Sequence, residues 1–585
     1  MATNQALMEG LLGGDEPREV ESGLDPTLEE NLCALLAREA DDPDELVHRI
    51  LYAESGDHVV IGGPNPPLYR HAGRLRRFKL PSAEVDATLD GVRDDEEIFV
   101  FGISLGEQVA ALLRTRPNAR ITVWERDPWL VRLSLMRQDY SRSLESGRLT
   151  IALGVDLVDH LPHLHERRVV FHPNFKGIYA DEMRLVSESI SGETPTEGRR
   201  WIGLSMGGVV VSFLADTLRR EGYSIFPMEV QRWDPRETET ALRRLRPERV
   251  ITVNYDASIT ETCHQLDLPL TVWDVDTNTD RTPTPPRSKG ELRVFTLHEK
   301  KVDQLHAAGF EDVGHLPLGI NTDMRYPIQT SGELGSIPVA FVGSSLVEPA
   351  TRFRRLFLQL YASFDCCGNE GFEETEARLE SVLRAEREDY ATYVTGALVE
   401  KEFGEFLEAA LRSGTPEDPR KWVAEIVASQ KRTSYISALA DQGIHVWGDD
   451  GWKEVEAKCP GLTFHGVADT GKEVTEVYCS ADINVDINRI YQPEAIPLRV
   501  FDVLACGGFL IAEHSKALEN QFDIGKELVT YRTITELVDL VGHYREHPDE
   551  AAAMAKRGLE AVQARHTMRL RAEKLLGDRT GARQS

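Results

Sequence analysis

Two acids separated by seven residues bracket the stretch EAIPLRVFDVLACGG: Glu494 and Asp502. Pro497 sits where a helix can begin, and Arg499 falls within its first turn. Gly507 and Gly508 end that helix, and the apolar FLIA follows as a buried strand. A helix N-terminus offers free N–H groups and a partial positive charge, which suits a phosphate. Arg499 would add a charge-assisted donor. A carboxylate on the helix, Asp502, can hold a ribose diol, and Glu494 just before it can hold sugar hydroxyls. The competing reading is an ordinary amphipathic helix with solvated acids.

Other residue groups suggest other chemistry. Gly203-Leu-Ser205-Met-Gly207 and Gly102-Ile-Ser104-Leu-Gly106 both fit G-x-S-x-G, the nucleophile elbow of α/β-hydrolases. Downstream acids (Asp274, Asp276) and histidines (His298, His315) could complete a triad after Ser205. Two matches in one chain show how cheap the pattern is, and a hydrolase leaves the last third of the chain unexplained. In FVFGISLGEQ, Gly102 and Gly106 flank a strand-to-helix turn. Glu125 ends the next strand, where a carboxylate can bind ribose hydroxyls, and Asp156 follows the third. His160, His163, His165 and His172 lack a cysteine partner or HExxH spacing, so they read as a solvated loop and no metal site is expected. Arg74, Arg76, Arg77 and Lys79 read as a small basic surface patch.

The C-terminal constellation resembles the donor-sugar site of GT-B glycosyltransferases, where a glutamate, seven residues and a second acid precede an A-C-G turn. More closely, INVDINRIYQPEAIPLRVFDVLACGGFLIAEHSKALENQF resembles the spore-maturation-protein (CgeB-type) branch, and so do VAFVGSS, QKRTSYISALADQGIHVWGDDGW and LTFHGVA before it. With DTLRREGYSIFPMEV, LTVWDVDTN and HLPLGIN, the resemblance spans about residues 200 to 576. It implies that Gly343 and Ser344 approach a donor diphosphate and that Lys431 and Arg432 add positive charge there. Gly448 to Trp452 would lie beside the nucleotide base, Glu494 would hold the sugar and Asp502 the ribose. Asn488, Gly507 and Gly508 would complete the donor side, with Gly207 and Gly208 facing the cleft from the preceding domain. Asp502 stands where the wider superfamily more often has glutamate, which shortens the reach to the ribose. The acids to test first for catalysis are Glu494 and Asp276. The resemblance implies a nucleotide-diphosphate sugar as donor and no need for a bound metal, and leaves the acceptor open. The first domain looks like a methyltransferase-type Rossmann unit, so S-adenosylmethionine is a weaker cofactor expectation. A catalytically idle scaffold and a bifunctional methyltransferase–glycosyltransferase are the alternatives.

These groups need elements to position them. Apolar runs alternate with helices of about ten residues, the signature of βαβ units and a parallel sheet. EIFVFGI, RITVWER, LTIALG and VVFHPN belong to one such series; WIGLSMGG, YSIFPMEV, VITVNYD, LTVWDVD and RVFTLHE to a second; VAFVGSS, IHVWG, LTFHG, INVDIN and GFLIAE to a third. The fold expected is α/β with three Rossmann-like units, the last two a GT-B pair facing across a cleft. The expected domains are 1–195, 196–332 and 333–585, the last with a solvated, mixed-charge helical insertion over about 365–425.

At 585 residues the chain has room for about three or four domains. Its formal charge of −29 argues against a nucleic-acid binder or a partner of anionic membranes. No apolar run approaches the length of a membrane helix, and the acidic start does not read as a secretory signal. Seven cysteines without a CxxC pair fit free thiols in a reducing cytoplasm. Oligomeric state leaves no trace in the sequence.

Overall fold

The computed structural model describes residues 25–37, 43–53, 59–60, 68–71, 74–77, 82–175, 178–191, 200–228, 235–275, 282–332, 334–364, 371–388, 390, 392–415, 417–469, 471–492 and 495–577. Glu494, Asp276 and Lys79 therefore lie outside the described residues. The chain divides into two compact units. The first comprises 1–206, 222–250 and 261–269; the second comprises 207–221, 251–260 and 270–585.

In the first unit, β1 (Val59–Val60), β2 (Leu68–His71) and β3 (Arg74–Arg77) form a small antiparallel sheet, and β3 carries Arg74, Arg76 and Arg77. Next comes a parallel sheet of β4 (Glu97–Phe101), β5 (Arg120–Glu125), β6 (Leu149–Leu153) and β7 (Arg168–Phe171), in the order β6-β5-β4-β7. β4 buries every residue from Ile98 to Phe101, as a strand covered on both faces must. The unit also holds the parallel pair β8 (Arg200–Ser205) and β9 (Tyr223–Met228), in register Arg200↔Tyr223.

β10 (Arg249–Val253) is followed in the second unit by β11 (Leu270–Asp274), β12 (Leu292–Thr296) and β13 (Asp312–His315), a parallel run in register Leu270↔Leu292 and Arg293↔Asp312. The last sheet lies wholly in this unit. It contains β14 (Ile337–Val342), β15 (Ile444–Trp447), β16 (Thr463–Phe464), β17 (Ala481–Val485), β18 (Leu510–Glu513) and β19 (Val529–Tyr531), all parallel, in the order β16-β15-β14-β17-β18-β19. The chain starts in the middle at β14, runs out to β16, then returns to β17 on the other side. The sheet thus has a topological switch point between β14 and β17, the place where open α/β sheets bind ligands.

The expectation of several Rossmann-like parallel sheets is met. The mixed-charge stretch after β14 differs from its expected form. It folds as two amphipathic helices, Phe372–Glu388 and Thr395–Arg412, whose apolar faces are buried. Leu379, Leu383, Phe403, Phe406 and Leu407 join Val339 and Phe341 of β14 in one core. Charged residues dominate the composition, but the apolar ones recur at helical spacing and form a stripe. The helix expected near Ser429–Gln442 begins earlier, at Pro419, with Asp418 accepting a hydrogen bond from the Arg420 amide as its N-cap.

Candidate functional site

Three cations converge on the switch point of the last sheet. Lys431 and Arg432 sit on the buried face of the Pro419–Ala438 helix, and Arg499 on the first turn of the Leu498–Ala505 helix. Arg432 donates to the carbonyls of Ser344 (2.7 Å) and Ile487 (3.2 Å), so one guanidinium joins the loop after β14 to the loop after β17. Arg499 donates through Nε to the Val342 carbonyl (2.7 Å) and pairs with the buried Asp486. Both guanidiniums lie against the Phe341 ring, 5.7 and 4.5 Å from its centroid. Lys431 pairs with Glu513, which also accepts the Asn488 amide (3.0 Å). The side-chain carboxamide of Asn488 donates to the carbonyls of Gln492 (3.0 Å) and Ala495 (2.9 Å).

Burial, then Arg499 and Arg489, push the Arg432 guanidinium down to about 9 despite Asp486 and Glu425. Burial raises Glu513, and Lys431 only partly offsets it. These residues differ from their expected form in one respect. Lys431, Arg432 and Arg499 are tied to protein carbonyls and carboxylates rather than held out as open ligand arms. They set the shape and the potential of the carboxyl edge.

Two glycine loops meet above them. Gly343 donates to the Trp447 carbonyl (2.8 Å), and a Cβ at Gly343 would lie 2.6 Å from Arg499 Nη2. A Cβ at Gly448 would run into the Gly343 carbonyl, so glycine is required for this approach. Asp449 laces the loops, accepting from the Ser345 amide (2.8 Å), the Gly451 amide (3.0 Å) and the hydroxyls of Ser344 and Ser345. Although burial opposes it, those bonds hold the Asp449 carboxyl below its ordinary range. Ser344 remains exposed. Trp452, expected beside a base, is fully buried, and its indole N–H donates to the Gly343 carbonyl (2.8 Å). Asp486, Glu513 and Ser345 were missed in the sequence, and Asp449 was expected only as part of the Gly448 to Trp452 stretch beside the base. For Asp486 and Glu513 the signal available was a polar residue directly after a strand's last apolar residue, whereas Asp449 and Ser345 stand two and three residues beyond the ends of β15 and β14.

Asp502 also differs from its expected role. It is 6% exposed and faces Arg325 Nε at 3.4 Å, inside the packing rather than at an open edge. Burial lifts its carboxyl to about 6, outweighing Arg325 and Arg499. Gly507, at φ 73°, ends the helix. Gly508 is a packing glycine, since a Cβ there would meet the Tyr478 carbonyl at 2.7 Å. Gly207 and Gly208 are exposed with open space around them, at φ 141° and 74°, and begin the Gly208–Arg220 helix. Of the hydrolase candidates, Ser205 is buried and Ser104 is fully buried at φ 53°. Asp274 is taken up by Lys301 (2.6 Å) and Thr296 (3.3 Å).

The glycine turn of the first unit is filled by the protein itself. A Cβ at Gly102 would run into Phe175, and one at Gly106 into Tyr140 and Ser134. Phe175 stacks on Tyr179 (4.6 Å between centroids), with Arg126 over the other ring (4.2 Å). Glu125 is fully buried and committed: it accepts from the amides of Ile103 (3.0 Å), Arg126 (2.8 Å) and Asp127 (3.2 Å) and from Tyr179. Burial lifts it to about 7. Asp156 accepts from the Leu153 amide (3.0 Å) and pairs with Arg244 (3.2 Å). At the expected cofactor positions Gly102, Gly106, Glu125 and Asp156, the structure thus places packed side chains beside both glycines, a buried Glu125 and a partly exposed Asp156. The histidine run stays dispersed, with His163 and His165 beside Glu166 and His172 buried. Among the described residues no group of three or more His, Cys, Asp or Glu side chains could hold a metal ion.

Residues 426–577 match the family model of glycosyl transferase-like proteins, a span that contains Lys431, Arg432, Arg499 and β15 to β19. No curated protein matches the chain. Among solved structures, TarM is similar at 11% identity and TM-score 0.33, over 59% of this chain and 58% of that one. The chain thus spans less than two thirds of TarM. Sucrose-phosphate synthase from Thermosynechococcus elongatus is similar at 12% identity and TM-score 0.37, covering 64% of this chain and 98% of that one. HepE of Anabaena, solved with UDP, is similar at 10% identity and TM-score 0.40, covering 64% and 98%.

Proposed function

We propose that the chain is a glycosyltransferase that moves a sugar from a nucleotide-diphosphate donor to a hydroxyl or side-chain acceptor. The observation that carries this reading is Arg432, which lies inside the glycosyl transferase-like segment, is buried at the β14/β17 switch point and has an Nε with no hydrogen-bond partner among the described residues. Arg432 is buried among Arg499 and Arg489 and gains most from an anion arriving at the carboxyl edge. A diphosphate set over the Gly343–Ser344 loop supplies that charge. In the reaction the acceptor oxygen attacks the sugar's anomeric carbon, the bond from that carbon to the diphosphate oxygen breaks, and the acceptor proton passes to a base. The cationic edge stabilises the negative charge that develops on the diphosphate. Glu494 and Asp276 are the acids to substitute first. Gly207 and Gly208 are proposed as the acceptor-side loop, and the first parallel sheet as a scaffold without a cofactor.

A thermal-shift screen with a panel of nucleotide-diphosphate sugars tests the reading, paired with an assay for released nucleoside diphosphate. The expected result is stabilisation by one donor class, competed by its nucleoside diphosphate and not by the nucleoside, with turnover in the presence of acceptor. Glu494→Gln is expected to keep binding and lose turnover. No shift across the panel overturns the proposal. The burial of Asp502 favours a second reading, a chain that kept the fold and the binding edge but no longer transfers; binding without turnover for any acceptor offered would identify it.

A further inference from the structure

Cys479 is the next-to-last residue of the Lys472–Ser480 helix, and Cys506 is the C-cap of the Leu498–Ala505 helix. The two helix ends meet. The Cys479 sulfur lies 3.3 Å from the Cys506 carbonyl oxygen and 3.9 Å from that of Tyr326. In both contacts the Cys479 thiol is the donor, so its sulfur lies directly against the Cys506 residue. Cys479 is partly open and Cys506 is buried. One sulfur is thus reachable from solvent, and the residue it touches carries a second, buried thiol.

We infer that Cys479 is a thiol-modification site for small-molecule disulfides such as oxidised glutathione, with Cys506 as the resolving thiol. The Cys479 thiolate attacks one sulfur of the reagent, whose S–S bond breaks, and one thiol leaves with the electron pair and takes up a proton. Cys506 then gives up its proton and attacks the Cys479 sulfur, expelling the second thiol. Two protein thiols are oxidised and one disulfide is reduced. The Cys506 hydrogen bond, then the Ile328 amide, hold Cys479 down to about 7 against its burial, while Cys506 is raised by the same bond. That division suits an attacker and a resolver. Cys33 and Cys263 are both raised by burial, the latter to about 12, which makes them poor competitors. The product would strap together the ends of two helices, one of which carries Arg499 and Asp502. The inference does not depend on the transferase reading.

The test treats the full chain with oxidised glutathione near neutral pH, quenches with an alkylating agent and maps peptides without reduction. The expected product is a Cys479–Cys506 crosslink with the loss of two hydrogens. Cys479 is expected to react about tenfold faster than Cys33, from its larger thiolate fraction. Cys506→Ser, and Cys506→Ala as a second version of the trap, should leave Cys479 carrying one glutathionyl group. Cys479→Ser should leave Cys506 unmodified. Faster modification of Cys33 or Cys459, no adduct on Cys479 in either Cys506 variant, or an unresolved adduct in the wild type would overturn the inference.

Discussion

Asp502 shows how burial overrules a nearby opposite charge. Arg325 stands 3.4 Å away, yet the carboxyl is lifted to about 6. A carboxyl raised in the fold makes its largest contribution to stability below its unfolded value, and that contribution is lost as pH rises through 6. Asp502→Asn removes this titration. Between pH 4 and 8 the balance between the two proteins should therefore move toward the variant, by on the order of 2 kcal/mol. Parallel denaturation profiles over that range would refute this placement of the carboxyl. Arg499→Ala has a different signature, because it strands the buried Asp486 and the Val342 carbonyl. A cost of about 3–5 kcal/mol is expected in chemical denaturation, and Arg499→Lys should recover only part of it. The sequence made Arg499 and Asp502 visible as chemically capable residues. It did not reveal that each would be claimed from within, since Arg325 lies 177 positions from Asp502 (502 − 325) and Val342 lies 157 from Arg499.

Strands were the most legible elements, because a parallel sheet covered on both faces leaves unbroken apolar runs such as AFV in β14 and LIA in β18. The helices after β14 were legible as helices and not as core. Phe403 shows why. It is surrounded by glutamates in sequence, yet its ring packs edge-on against Phe357 (5.1 Å) and Tyr361 (5.5 Å). Phe403→Ala should cost about 3–5 kcal/mol, a core penalty, whereas a solvated insertion would lose under 0.5. Loop-to-loop contact was the least legible feature. Gly448→Ala pushes a methyl group into the Gly343 carbonyl, and about 1–3 kcal/mol of overpacking is expected together with loss of nucleotide-sugar binding. Unchanged binding in that variant would detach the Gly343–Ser344 loop from the donor.

For the whole molecule, the alternation of strands and helices announced repeated α/β architecture, and the last sheet carries it through completely. What alternation could not reveal is which edges stay open. The glycine turn of the first unit looks the same on paper as a cofactor turn, and Phe175, 73 residues from Gly102, and Tyr140 and Ser134, 34 and 28 residues from Gly106, crowd it (175 − 102; 140 − 106; 134 − 106). Calorimetry with S-adenosylmethionine should accordingly give no heat of binding from this chain. A net charge of −29 also works against compactness through self-repulsion. Melting temperature should therefore rise when salt is added from low ionic strength, and a fall would mean that screened favourable pairs dominate.

Trp452 gives the switch point its own optical voice. Its indole is sealed from water and clasps the carbonyl of Gly343, the residue from which the Ser344 loop departs. Any occupant that tugs this peptide alters the polarity felt by one ring, so emission from the chain should shift in step with occupancy. Subtracting the spectrum of Trp452→Phe isolates that ring from the other seven tryptophans. The protein thus carries a reporter that needs no dye, no label and no knowledge of the acceptor.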